Sequence, residues 1–354
     1  MAIQILVAKK DGTVIDELPT PELGGVAWRL NAIGRLRFGL ARSSEKVTER
    51  NIRFGNMLLV RFDNGLPNWA GVIDTPRTWE QDVVEVSAYT IEHLFQYVVT
   101  RQVQRYPRTL VGDMFEDLVR DARQKLGVEI EVGKTWDGGF DFDQVYHFKP
   151  LWEIFRRDII EREEVDMLFR PYLSNGVIRH EATLRKSNTI DKTESAALHE
   201  GSNIVTVQIE EQGPIVNRFY AVGSGPNWGV DRPVDVQENV QSKGKYGLRE
   251  EARVFSGITW PAVLIDLAQR NIKQKAEPRT RILADVTDTS PGDFGSFGVG
   301  HLVKVTLPSY TFNGYQADCR VISREYAPSS GECSVVLEEY KDLEATPALV
   351  GGES

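Results

Sequence analysis

Apolar residues alternate with polar ones through much of the first hundred positions, and give way later to a spacing of three to four. Trp28, Leu30 and Ala32 stand two apart, and Leu36, Phe38 and Leu40 are separated by Arg37 and Gly39. That pattern predicts half-buried strands. Residues 57–62, 69–73 and 83–88 are three further β-rich runs, divided by Asp63-Asn64-Gly65 and by a polar stretch after Pro76. An antiparallel meander follows from them. The opening MAIQILVAKKDG reads as a first strand ending in a turn, without the charged and then apolar regions of a signal peptide.

Beyond Tyr89 the period changes. Leu110, Met114, Leu118, Ala122 and Leu126 recur every four residues and Gly127 follows, predicting an amphipathic helix with a glycine stop. Pro150 opens a second helix with Trp152, Phe155 and Ile159 on one face and Arg156, Arg157 and Glu161 on the other. Asp137-Gly138-Gly139 marks the loop between them. Residues 167–173 and 177–184 flank Asn175-Gly176, a strong hairpin signal. Strand character resumes at 204–209 and 215–222, before a loop rich in Gly and Pro at 223–233. Thr259 and Pro261 introduce a third helix that buries Val263, Leu264, Leu267 and Ile272. Strands at 281–286, 301–307, 317–324 and 334–339 fit an antiparallel barrel or sandwich, and 341–354 has no period and is expected to be mobile.

The chain also resembles itself. The segment from Gly55, GNMLLVRFDNGLPNWAGVIDTPRTWEQDVVEVSAY, can be laid over that from Gly300, GHLVKVTLPSYTFNGYQADCRVISREYAPSSGECSVVLEEY. Each begins with glycine, carries a Val-Ile pair (Val72-Ile73, Val321-Ile322) and ends in tyrosine (Tyr89, Tyr340). Two related β-barrels in one chain are the expectation, although any two meanders share alternating valines.

Several strings together carry a family likeness. Trp69, Gly71 and Ile73 lead into Val86-Ser87-Ala88-Tyr89, and Glu200-Gly201-Ser202-Asn203-Ile204 precedes Asn217-Arg218 and Val222-Gly223. Val299-Gly300-His301-Leu302-Val303-Lys304-Val305 then enters the last strands. Taken in order over nearly the whole chain, they resemble the tail-hub proteins of long-tailed phages and related injection systems. The resemblance implies a mainly β fold with an α+β insertion: two tail-tube-like antiparallel β-barrels plus a mixed helical and sheet domain. Residues 1–97 would form the first barrel, completed by about 199–225, and 98–198 the insertion. Residues 226–340 would form the second barrel, with a helical insertion at about 259–275. It further implies a homotrimeric ring at the tail tip of a virion, assembled in the bacterial host cytoplasm. A distal tail or tail-tube protein would lie above it, a fibre or spike below, and a tape measure protein in the lumen, with DNA passing through unbound. Many members of that family continue into a degradative or receptor-binding region, whereas this sequence stops shortly after the second barrel.

Composition narrows the chemistry. Of 354 residues, 42 are Lys or Arg and 51 Asp or Glu, for a net charge of -9, which argues against a broad polycationic surface for nucleic acid. No uncharged apolar run is long enough for a membrane span. Cys319 and Cys333 are too few for a disulfide framework and read as reduced strand or core residues, with a bridge left open.

No catalytic, cofactor or metal residue is expected. His93, His147, His180, His199 and His301 are scattered, with no pair at metal-binding helical spacing. Glu161, Glu163, Glu164 and Asp166 could supply the carboxylates of a glycosidase, but a run like this reads first as the solvent face of the second helix. Asp141 and Asp143 lack a third calcium-loop ligand. Gly223-Ser224-Gly225 is followed by Pro226 and not by a helix, so a turn is expected and not a phosphate loop. Trp28, Trp69, Trp79, Trp136, Trp152, Trp228 and Trp260 suit core or subunit-interface packing. Those tryptophans and carboxylates are also what an alternative would use, a carbohydrate-binding or carbohydrate-cleaving protein of the tail tip.

Overall fold

The computed structural model describes residues 3–19, 22–101, 103–136, 138, 142–225, 232–255, 257–310 and 314–340. The expectations for Asp141, Pro226, Trp228, the Asp143 side chain and the tail 341–354 lie outside the described residues.

The first part contains β1 (Ile3–Ala8), β2 (Val14–Leu18), β3 (Glu22–Arg29), β4 (Arg35–Ala41), the short helix α1 (Glu49–Ile52), β5 (Met57–Phe62), β6 (Trp69–Trp79) and β7 (Val83–Thr90). These strands pair antiparallel in the order β2-β1-β5-β6-β7-β4-β3. The predicted alternation holds in β4, where Leu36, Phe38 and Leu40 point inward; Ile5, Leu18, Val26, Val60, Trp69 and Val86 of the other strands share that core. Leu6, Ala8, Met57, Leu59, Ala70 and Val72 point the opposite way and are buried beneath the insertion. Burial on both faces explains why 57–60 is an unbroken apolar run.

The insertion begins with a 3-10 turn (Ile91–Tyr97) and contains β8 (Gln104–Thr109), α2 (Val111–Leu126), β9 (Ile130–Val132) and β10 (Phe142–Tyr146). It continues through α3 (Leu151–Ile154), a wider π-helical turn (Phe155–Ile160), α4 (Glu161–Glu163), β11 (Val165–Ser174) and β12 (Val177–Lys186). The predicted periodicity is realised in α2: Met114, Phe115, Leu118 and Ala122 are fully buried. Met114, Phe115 and Leu118 each contribute about 1.5–3 kcal/mol. Gly127 ends the helix at φ 63°, its N–H reaching the Arg123 carbonyl at 2.9 Å. Asn175 (φ 51°) and Gly176 (φ 74°) form the tight turn of the β11–β12 hairpin, as the two positive φ values of a type I′ turn require.

The remaining chain comprises β13 (Ala197–His199), β14 (Ile204–Gln212), β15 (Arg218–Val222), β16 (Val234–Glu238), α5 (Val240–Tyr246), β17 (Glu250–Val254) and α6 (Pro261–Lys275). β18 (Arg279–Val286), β19 (Leu302–Leu307), β20 (Tyr315–Ala327) and β21 (Glu332–Glu339) follow. Residues 199–225, expected to complete the first barrel, pair elsewhere: β14 with β18, and β15 between β16 and β17. The side chains account for this. Ile204 joins the second core with Ile282 and Val286, whereas Phe219 and Ala221 lie under Leu264, Leu267 and Ile272 of α6. The helix expected inside the second barrel therefore covers a separate three-stranded sheet.

β14, β18, β21, β20 and β19 are neighbours in that order, and so are β3, β4, β7, β6 and β5. The two meanders are matched in backbone detail. Gly55 (φ 86°) donates to the Ile73 carbonyl at 2.9 Å and Ile73 to that of Asn56 at 2.8 Å. Gly300 (φ 80°) donates to Val321 at 2.7 Å and Val321 to His301 at 3.0 Å. Ile73 thus corresponds to Val321, one residue away from the match of Val-Ile pairs in the sequence. The halves join edge to edge, because β20 bends from β19 onto β3, with residues 323–326 opposite 26–29.

Candidate functional site

The carboxylate run is not a solvent face. Glu163 and Asp166 are fully buried. α4 ends at Glu164 in the left-handed conformation (φ 52°) and β11 starts at Val165, so the run straddles a helix end and a strand. Asp166 accepts from the Ser187 hydroxyl at 2.9 Å and pairs with Arg185 at 3.6 Å and with Arg320 of β20. Glu164 accepts from Gln274 of α6, and Glu161 faces Arg253 of β17 at 3.4 Å. Glu161, Glu164 and Asp166 therefore tie the insertion to the second meander and to the small α/β unit, while Glu163 pairs with the adjacent Arg162 at 3.3 Å. Glu161 and Glu164 line one open pocket of about 390 Å³, and each already has a partner there, Arg253 and Gln274.

The histidines are also dispersed in space. His93 stacks on Tyr89 with centroids 4.6 Å apart and contacts Asp74 at 2.8 Å. His180 is buried between Pro171 and Ile130 with neither ring nitrogen hydrogen-bonded, and burial pushes it down to about 4. His301 accepts the Gly298 N–H at 3.0 Å, and burial followed by the Arg185 charge lowers it to about 4. Among the described residues no group of three His, Cys, Asp or Glu could hold a metal. Cys319 and Cys333 are free and buried, and burial pushes Cys319 up to about 12. Gly223 and Ser224 do not close a local turn but extend β15, donating to the Pro233 and Ile258 carbonyls.

A mostly apolar cavity of about 400 Å³ lies where the first sheet, the hairpin and residues 294–301 meet. Trp28, Phe169 and Phe297 line it together with Glu92. Burial pushes Glu92 up to about 7, and its Oε2 has no hydrogen-bond partner.

Of the tryptophans, Trp69 is buried and donates to the Ala27 carbonyl at 3.1 Å, while Trp79 and Trp260 are 53% and 65% exposed. Trp79 belongs to a surface cluster. The Arg77 guanidinium lies 4.4 Å from the Phe54 ring and 5.7 Å from that of Trp79, and donates to the Ile52 carbonyl at 2.7 Å. Arg324 repeats the arrangement in the second half, 4.3 Å from Phe297 and donating to the Phe297 carbonyl. Sequence reasoning missed both arginines. The available signal was an Arg-x-aromatic string in each copy of the repeat, Arg77-Thr78-Trp79 and Arg324-Glu325-Tyr326.

No helix among the described residues is long and apolar enough to cross a membrane. No family model and no curated protein matches the chain. Solved structures do. A tail protein from Neisseria meningitidis MC58 is similar with a TM-score of 0.64 at 12% identity, over 96% of this chain and 97% of that one. The 43 kDa tail protein of prophage MuSo2 from Shewanella oneidensis is similar at 0.61 and 12%, over 96% and 98%. The E. coli c3393 protein, a type VI secretion component described as similar in structure to the T4 bacteriophage tail proteins gp27 and gp5, matches at 0.55 and 10%, over 92% and 75%. At these identities the likeness establishes the fold, which is that of phage tail proteins.

Proposed function

We propose that the chain is a structural component of a phage tail or related injection machine, a hub at the tail tip whose copies close a ring around the channel. The observation that carries this reading is the duplicated meander: β3-β4-β7-β6-β5 and β14-β18-β21-β20-β19 share one order and are joined by the β3–β20 pairing. One chain thereby offers two near-equivalent surfaces, and three chains offer six. A trimer matches a sixfold distal tail or tube protein above and a threefold fibre or spike below, with the tape measure protein in the lumen. Closed rotational symmetry is the common outcome for identical subunits. The insertion and the small α/β unit would make the two halves differ where threefold partners bind.

The net charge of -9 suits a channel through which DNA slides, since each phosphate neutralised by Lys or Arg adds affinity. The bore is expected to carry more Asp and Glu than Lys and Arg, and the chain to have no hydrolytic activity. The carbohydrate reading loses support because the buried carboxylates already serve as ion-pair partners, Asp166 with Arg320 of the second meander and Glu163 with the adjacent Arg162. Electron microscopy of the assembled tail tests the proposal. Three copies in one layer with both meanders around the bore are expected; six separate copies, or a position away from the axis, would refute it.

A further inference from the structure

The equivalence of Ile73 and Val321 fixes a register for the whole repeat. Ile73 faces Ala88 and Val321 faces Leu337, so these correspond in β7 and β21. Two positions on, Arg77 faces Val86 and Arg324 faces Val335, which makes Arg77 the counterpart of Arg324 and Trp79 that of Tyr326. The arginine hydrogen bonds confirm this independently: each reaches a carbonyl three residues ahead of its positive-φ glycine, Ile52 before Gly55 and Phe297 before Gly300. In the opposite direction Ala88 faces Leu36, which faces Val26, and Leu337 faces Ile282, which faces Ile209. Val26 therefore corresponds to Ile209.

Only one of the two equivalent edges is covered. Arg324, Glu325 and Tyr326 face Trp28, Ala27 and Val26 of β3, which leaves Tyr326 only 3% exposed. Among the described residues, 77–79 have β7 on one side and no strand on the other, and β14 pairs only with β18. The two open edges are not partners within one chain, since β18, β21, β20, β3, β4 and β7 stand between β14 and β6 in the same sheet. Open strand edges are templates for pairing with another chain.

We propose that residues 77–79 of one copy pair antiparallel with residues 209–211 of β14 in a second copy, in the register that residues 324–326 adopt against β3. Trp79 then lies opposite Ile209, Thr78 opposite Glu210 and Arg77 opposite Glu211. The chemistry is complementary: the exposed aromatic gains an apolar neighbour and the guanidinium gains a carboxylate on an edge bearing Glu210 and Glu211. Opposite charges directly across a strand pair stabilise it. Because each copy carries one edge of each kind, the contact is head-to-tail, the kind that gives a ring when the rotation between copies closes. This pairing rests on the ring reading and specifies its subunit contact.

Cysteine cross-linking in the full chain tests it. Thr78→Cys with Glu210→Cys should form inter-chain disulfides under mild oxidation, giving covalent closed oligomers, whereas the two single variants mixed should stop at dimers. Thr78→Cys with Gln208→Cys, two residues out of register, should cross-link about tenfold less. Arg77→Glu should weaken assembly by about tenfold, and Glu211→Arg in the same chain should restore it. Sedimentation gives the oligomer mass in parallel. A trimer without the in-register cross-link, or one indifferent to Arg77→Glu, overturns the pairing and leaves the ring standing. A chain that neither cross-links nor associates, alone or with its tail neighbours, overturns both.

Discussion

Asp166 and Arg320, far apart in sequence, meet as a buried ion pair where the β11–β12 hairpin touches β20. Arg185 and the Ser187 hydroxyl complete the surroundings of the carboxylate. Breaking a buried pair from one side leaves the other charge uncompensated, which costs about 3–5 kcal/mol. Asp166→Ala is therefore expected to lower unfolding free energy by that amount in urea titrations. Replacing Asp166 by Asn and Arg320 by Met together should recover part of the loss. A single variant within about 0.5 kcal/mol of the wild type would show that the pair contributes nothing to coupling the units.

Gly55 and Gly300 have the same backbone conformation but different surroundings. A Cβ on Gly55 meets nothing within 4 Å, whereas one on Gly300 would lie 2.6 Å from Arg185 Nη2 and 3.1 Å from Asp166 Oδ2. Gly55→Ala should cost only the left-handed strain, about 1–2 kcal/mol. Gly300→Ala should cost about 2–4 kcal/mol, because it also displaces the buried pair. Equal losses would mean that the Asp166 cluster yields without penalty.

The sequence carried local structure well and long-range pairing poorly. The α2 period and the Asn175-Gly176 turn depend on residues close together, and both form as expected. The repeat was also visible, because Gly55 and Gly300 each need a positive φ at the start of a meander. By contrast, both 204–209 and 215–222 read as strands, and nothing local indicates that one joins β18 and the other β16 and β17. The carboxylate run misled for the same reason. Its partners, Arg253, Gln274 and Arg320, are supplied by distant segments, so burial could not be inferred from spacing on one helix.

Two buried groups give the stability curve opposite slopes. Glu92 rises from 4.5 unfolded to about 7 folded, chiefly through burial, so its contribution is complete below pH 4.5 and is lost as pH rises through 7. His180 falls from 6.5 to about 4 through burial, so its contribution is complete above pH 6.5 and is lost as pH falls through 4. His301 acts in the same direction as His180, while Arg29, Arg170 and Arg185 line the Glu92 cavity as fixed charges. The Glu92 and His180 shifts each correspond to roughly 3 kcal/mol. The two slopes oppose each other in the same window, so urea unfolding from about pH 4 to about pH 8 should show stability rising more steeply with pH in Glu92→Gln and falling more steeply with pH in His180→Leu, between about pH 4.5 and about pH 6.5. A slope between about pH 4.5 and about pH 7 that is unchanged in Glu92→Gln would show that the carboxyl is ionised in the folded chain without penalty.

Arg77 and Arg324 make equivalent contacts, yet their removal should be felt in different experiments. Arg324 is 1% exposed and donates to the carbonyls of Phe297 and Phe294. Arg324→Met keeps much of the side-chain volume but leaves those buried acceptors without donors, at a cost of about 2–4 kcal/mol. Arg77 lies beside the exposed rings of Phe54 and Trp79, where a cation–π contact is worth about 0.5–1 kcal/mol, and it makes one part-buried hydrogen bond, to the Ile52 carbonyl. Arg77→Met should therefore cost the isolated chain less than Arg324→Met, about 1 kcal/mol. If that side of β6 becomes covered in the assembled state as β20 is covered by β3, the penalty should appear there as weaker association. Measuring unfolding and sedimentation on both variants separates the cases: equal destabilisation of the isolated chain by the two would mean that Arg77 already serves a folded interior.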